Sequence, residues 1–194
     1  MKVIDIHTHA FPDPVAEDAV PRLEKRGNIT STLDGKLSTL LGSMDEAGIS
    51  ASVVASIATN PSQYKNIITW SESIASDRII PFPSVHPDDP DWEHHLEEIA
   101  KRGFRGVKMQ PYYQKFIADE PRMMRFYEKL VELDLILLLH TGFDIGFPRD
   151  RIADPVKVLH VIHTCPDLKV ITTHFGAWDD WDEAEKYILG KPIF

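Results

Sequence analysis

Residues 135–142 read LILLLHTG, five apolar residues followed at once by a histidine. A continuous apolar run of this length, closed by Thr141 and Gly142, fits a strand buried on both faces. A polar ring directly behind such a run is costly unless it has a partner, so His140 is expected to have one. The neighbouring segments repeat the design. Upstream, FRGVKM (104–109) is a strand candidate carrying Lys108 near its end. Met123, Phe126, Tyr127, Leu130 and Val131 follow at helical spacing. Downstream, Asp154 caps a helix that opens on Pro155 and reaches Cys165. LKVITT (168–173) is then a strand that delivers His174.

Further outward the same alternation continues. KVIDI (2–6), ASVVASIA (51–58) and IIPFPSV (79–85) are strand candidates. Leu37, Leu40, Leu41 and Met44 follow a polar loop at helical spacing, and Tyr64, Ile67, Ile68, Ser71, Ile74 and Ala75 line one helical face. Trp92, Leu96, Ile99 and Ala100 mark a helix with Asp88 to Asp91 as its acidic first turn. DDWDEAEKYIL (179–189) reads as a last helix, KPIF (191–194) as the start of another strand, and 27–36 as an exposed loop. Alternating strands and helices imply an α/β fold with a parallel sheet, either a barrel or an open doubly wound sheet. No Gly-rich phosphate loop follows any strand, which removes the usual cofactor signature of the open sheet.

A hydrophobic fraction of 43% over 194 residues supports one globular domain spanning 1–194. The net charge of −9 argues against nucleic acid as a partner. No stretch approaches the ~20 apolar residues of a membrane span. MKVIDIHTHA is not a signal peptide, and the lone Cys165, read as structural, fits a reducing compartment. These features point to a cytoplasmic protein acting on a small molecule.

The polar residues carry the chemistry. Side chains two apart on a strand share a face, so His7 and His9 could converge on one metal at ~2.0–2.1 Å per zinc–nitrogen bond. Asp5 has the same parity and could support them from below. Lys108, His140 and His174 end three further strands. In a parallel barrel all these ends meet on one face, where active sites gather. His86, after the third strand, is a candidate substrate contact, and Gln110, two residues after Lys108, a candidate hydrogen-bond donor. His94 and His95 are expected on a solvated helix face, and His160 and His163 on the surface. Trp178 and Trp181 could wall a pocket.

IDIHTHAFP, GFRGVKMQPYYQ, LLLHTGFDIGFP and DLKVITTHFGAW together resemble the amidohydrolase superfamily, and within it the amidohydrolase-related branch of hydrolases and decarboxylases. The resemblance implies a distorted (β/α)8 TIM-type barrel. It implies that His7, His9 and His140 bind a divalent cation, Zn2+ before Mn2+ or Fe2+, with His174 and Lys108 catalytic, His174 either binding a second metal or orienting the reacting group. Lys108 would be a free ammonium or a carboxylated bridge between two metals. The implied reaction is attack of activated water on a carbonyl-type carbon of a small carboxylated substrate. The alternatives are non-oxidative decarboxylation, and metal binding without turnover. The family's aspartate after strand eight has no counterpart, because the chain stops at Phe194 about where strand seven would begin. Asp144 and Asp179 lie in loops near the mouth and match nothing. Six or seven strands would leave an open sheet edge, which favours self-association.

Overall fold

The computed structural model describes residues 2–193. Its strands are β1 (Ile4–Thr8), β2 (Ala51–Ala55), β3 (Ile79–Phe82), β4 (Gly106–Met109), β5 (Ile136–Leu139) and β6 (Val170–Thr172). They pair in parallel in two runs, β1-β2-β3 and β4-β5-β6. Helices fill every crossover. α1 (Asp13–Gly27) and α2 (Leu37–Ala47) precede β2, α3 (Tyr64–Ile74) precedes β3, and α4 (Trp92–Lys101) precedes β4. The short α5 (Pro111–Gln114) and α6 (Pro121–Glu132) lead to β5, α7 (Pro155–Thr164) leads to β6, and α8 (Trp181–Tyr187) follows it.

The break between the runs has a local cause. Pro81 and Pro83 have no N–H to give a ladder, so β3 and β4 are joined instead by Lys108 N–H to Pro83 O (2.8 Å) and Ser84 Oγ to Lys108 O (2.8 Å). Gly106 makes the seam close. A Cβ there would lie 2.5 Å from both the Phe82 ring and Ile136 O. The result is an incomplete (β/α)8-type barrel wall.

Period-two alternation sorts the side chains. Leu137 and Leu139 point outward with Val107, Met109 and Val170 into the main core beneath α4, α6 and α7. Leu138 points inward, against Val53, Ala55 and Phe82. Lys108 is level with Leu138 in the β4–β5 register. The amine is therefore carried on the inner face, with His140 one repeat beyond Leu138. At the edge of the wall, the β1 residues Ile4 and Ile6 stay exposed. Among the described residues no helix is long and apolar enough to cross a membrane.

Several expectations need correction. The first strand runs Ile4–Thr8 rather than 2–6, because pairing with β2 extends to Thr8, so His7 lies within the strand and not after it. The supposed polar loop contains α1, whose single buried residue is Ala16, with Pro14 in its first turn and Pro21 inside it. Asp88–Asp91 precede α4 instead of forming its first turn. Asp89 is buried, accepting from Asp91 N–H and bonding His95 Nδ1. Residues 191–193 form no strand, and Phe194 lies outside the described residues. The expected loop at 27–36 begins on the last residue of α1, Gly27, and its residues 28–36 carry neither helix nor a regular strand before α2. Asp154 caps α7 as expected, accepting from Val156 and Lys157 N–H, with Pro155 in the first position.

Candidate active site

β1 departs from regular pairing before its histidines. Asp5 is level with Ser52, but Thr8 is level with Val54, so three residues on β1 span two on β2. Such a slip re-aims side chains. His7 Nε2 and His9 Nε2 come to 3.2 Å from each other. His9 Nδ1 lies 2.8 Å from Ala55 O. A carbonyl can only accept, so Nδ1 carries the proton and Nε2 is left as a lone-pair donor. Asp5 was expected to support the pair from below, but its Oδ1 accepts from the His7 backbone N–H (3.1 Å) and not from an imidazole.

β5 and β6 supply the other half. The His140 Nε2–H donates to Phe143 O (3.1 Å), which leaves Nδ1 free to face His174 Nε2 at 3.1 Å. His174 and Phe175 both have left-handed backbones, φ 59° and 55°. Two such residues in succession, neither a glycine, store strain of the kind found at functional sites. The Trp181 indole N–H holds the His174 carbonyl (3.1 Å). Phe175 is thrown outward, 97% exposed, while His174 turns inward. The loops after β5 and β6 touch through Gly142 and Trp178. At Gly142, with φ 82°, any Cβ would strike the Trp178 backbone.

The two pairs meet across the barrel mouth. The His7 and His174 ring centroids are 5.0 Å apart, and those of His140 and His174 are 4.8 Å apart. Lys108 Nζ stands 3.3 Å from His7 Nε2. Burial, and then the Lys108 charge, push the His7 and His140 pKa values well below the ordinary range. The same causes lower His9 and His174 to about 4. Burial lowers Lys108 to about 7, partly opposed by Asp144. At neutral pH the imidazoles are therefore uncharged donors, the form a metal requires.

Whether a cation suits these residues can be judged from the donors. Two nitrogens on one tetrahedral zinc at ~2.0–2.1 Å would be separated by roughly 3.3 Å. The His7–His9 separation of 3.2 Å and the His140–His174 separation of 3.1 Å fit that span. The nitrogens nevertheless meet pairwise. Among the described residues no three His, Cys, Asp or Glu side chains form a ligand set around one point.

Of the residues singled out from sequence, His7, His9, Lys108, His140 and His174 are brought together. Trp178 stands beside them, edge-on to His174 at 5.6 Å and to Trp181 at 5.7 Å. Gln110 and His86 are not free for substrate in the expected way. Gln110 caps α5, with Oε1 accepting from Tyr112 N–H and Nε2 donating to Asp144, so both ends are engaged within the protein. His86 Nδ1 accepts from Asp88 N–H, and its charged neighbours are Asp88, Arg122, Asp89 and Lys115, not Lys108. His94 is solvated as expected, but His95 stacks on Tyr64 at 3.7 Å and bonds Asp89, because its side of α4 faces α3. His160 and His163 are exposed. Sequence reasoning placed Asp144 in a loop near the mouth but gave it no role; its Oδ2 lies 3.9 Å from His140 Nε2. Its position four residues after His140 was the available signal.

Comparison with known proteins adds an independent finding. A family model described as Amidohydrolase matches residues 4–186. An uncharacterized TIM-barrel protein from Bordetella bronchiseptica is similar over 100% of this chain and 74% of its own, at 17% identity and a TM-score of 0.73. The 2,6-dihydroxybenzoate decarboxylase from Rhizobium is similar over 89% of this chain and 66% of its own, at 18% identity and a TM-score of 0.59. A probable 2-pyrone-4,6-dicarboxylic acid hydrolase from Acinetobacter baumannii is similar over 100% and 69%, at 15% identity and the same TM-score of 0.59. These identities speak for the fold alone. The chain spans 64–74% of the length of the first three solved structures it matches. A search of curated proteins finds no match.

Proposed function

The chain belongs to the amidohydrolase family, and on that premise we propose that it is a metal-dependent hydrolase acting at a carbonyl-type carbon of a small carboxylated substrate. His7, His9 and His140 would hold a divalent cation, with Zn2+ the best fit to an all-imidazole donor set. The observation that carries this reading is the convergence of uncharged imidazoles from β1, β5 and β6 beside Lys108, with the His7 and His9 nitrogens 3.2 Å apart. A cation bound there supplies a nucleophilic water at neutral pH and polarises the scissile carbonyl.

The chain's own residues do the rest. The Ala55 and Phe143 carbonyls fix the tautomers of His9 and His140. His174 stands on the open side of His140, where its Nε2 orients the substrate and stabilises developing oxyanion charge. Lys108 draws in a substrate carboxylate when protonated. Trp178 walls the mouth next to His174 and limits water.

Non-oxidative decarboxylation is the second reading. It is favoured by one observation, the burial of the Lys108 amine 3.3 Å from His7 Nε2, which pushes its pKa down to about 7. A group poised near neutrality is a suitable general acid. Its ammonium could protonate the carbon from which CO2 departs. Measuring CO2 release against amide, ester and lactone hydrolysis separates the two reactions. The metal assignment itself is tested by elemental analysis. Protein loaded with Zn2+ should retain it stoichiometrically, and the His7→Ala/His140→Ala double variant should not. Stoichiometric metal in that variant would refute the site.

A further inference from the structure

Among the described residues a cation at this cluster would meet only neutral imidazoles as ligands. Among the described residues Asp144 is the one carboxylate within ion-pair range of any cluster member, with Oδ2 3.9 Å from His140 Nε2. Its side chain is only 14% exposed. Both of its oxygens are fixed by uncharged donors. Gln110 Nε2 donates to Oδ2 at 2.6 Å, and Gly146 N–H donates to Oδ1 at 2.8 Å. Gln110 is itself held, by Tyr112 N–H on its Oε1 and by its own N–H on Gln114 Oε1. Gln114 in turn donates to Val85 O and Ser84 Oγ. A relay of neutral hydrogen bonds therefore runs from the β3–β4 seam to one carboxylate and leaves its charge unpaired on the outer side of His140. The Gly146 contact alone would make Asp144 a turn residue. The Gln110 contact, from a different β/α unit, is what a turn does not need.

We propose that Asp144 is a positioning residue: its tethered carboxylate, 3.9 Å from the Nε2–H that Phe143 O accepts, favours electrostatically the tautomer that leaves Nδ1 facing the cluster, and offsets part of the charge of a cation bound there. Carboxylates behind a ligating histidine orient the ring and raise its basicity. The inference rests on the metal-binding reading above, and its test distinguishes the two.

The test measures Zn2+ affinity by competition with a chromogenic chelator, and the visible spectrum of the Co2+-loaded protein. Asp144→Asn is expected to weaken Zn2+ binding by about 10–100-fold and to shift the Co2+ bands, with the urea midpoint of the metal-free protein unchanged. Asp144→Glu should recover most of the affinity, which a purely structural turn role would not predict. Gln110→Met keeps the charge but cuts its tether, and should weaken binding by a smaller factor. Zn2+ affinity within threefold of wild type in Asp144→Asn overturns the proposal. Should Asp144→Asn not fold, unchanged affinity in Gln110→Met overturns it. A wild-type protein that binds no Zn2+ overturns the metal reading and this inference together. Tight binding by both wild type and Asp144→Asn removes this inference alone.

Discussion

Lys108 places a primary amine on the inner face of β4 with 1% of its surface exposed, and replacing it should change how stability depends on pH. Burial lowers its pKa from 10.5 to about 7 in the folded chain, whereas the unfolded chain keeps the ordinary value near ~10.4. Between these limits the unfolded state binds more protons, so stability rises with pH. Below pH 7 both states carry the proton and the full cost of the buried ammonium is present. Above about pH 10.4 neither carries it and the cost is gone. The slope reaches ~1.4 kcal/mol per pH unit, and the whole window amounts to roughly 5 kcal/mol as a ceiling. That is a large share of the ~5–15 kcal/mol that holds a domain folded. Lys108→Met preserves the length of the side chain and removes the charge. In urea titrations with EDTA, followed by tryptophan fluorescence, the variant should be the more stable protein at pH 7. Its advantage should shrink by about 1 kcal/mol per unit through pH 8 and 9. The cluster histidines feel the Lys108 charge but are uncharged in both proteins from pH 7 to 9, so the other titrating groups cancel in the difference over that range. A gap that stays constant from pH 7 to 9, or a wild type more stable at pH 7, would show that Lys108 is not buried as described.

Two more outcomes follow from the geometry. Gly142→Ala forces a side chain into a backbone at φ 82° against Trp178, a strain of ~1–2 kcal/mol. It also breaks the Phe143 N–H to Trp178 O and Trp178 N–H to Thr141 O bonds (2.9 Å each), worth ~1 kcal/mol apiece. Urea titration should therefore show a loss of roughly 3–4 kcal/mol, with weaker Zn2+ binding because the His174 loop is displaced; a loss under ~1 kcal/mol would mean that the two loops do not dock. On the acid side, burial and then the Lys108 charge lower His9 and His174 from the ordinary 6.5 to about 4 in the folded chain, so the unfolded state gains protons first as pH falls. Stability of the metal-free protein should therefore decline from pH 6.5 toward 4, and His9→Asn/His174→Asn should flatten that decline. Equal slopes in the two proteins would contradict the neutral-imidazole description.

The strands were legible because burial on both faces demands uninterrupted apolar runs, and LILLL is the plainest of them. The cluster residues were legible for a related reason: each lies at or just beyond a strand's carboxyl end, where alternation and the barrel geometry bring a side chain to the mouth. α1 was not read, although Val15, Ala16, Ala19, Val20 and Leu23 recur at helical spacing, because Pro14 and Pro21 interrupt the stretch and the helix buries only Ala16. Adjacent His94 and His95 look alike in sequence, but a helix turns neighbours about 100° apart, and only one of them met Tyr64. Gln110 and His86 show that nearness to a strand end is insufficient. One turns back to cap its own helix, and the other leaves β3 after two prolines that break the ladder.

Alternation brings a side chain to the rim, but a departure from regular strand geometry is needed to aim its nitrogen. β1 makes that departure by its slip between Asp5 and Thr8, β5 by the turn at Gly142, and β6 by consecutive left-handed residues at His174 and Phe175. Each is maintained from elsewhere in the chain: Ala55 holds His9, Trp178 holds the Gly142 turn, and Trp181 holds the His174 carbonyl. Asp144 is the extreme case, because its tether Gln110 lies 34 residues away on another β/α unit. A sequence can therefore name the side chains of this site while remaining silent on which nitrogen faces which, for that pairing is decided by contacts between loops that lie far apart along the chain.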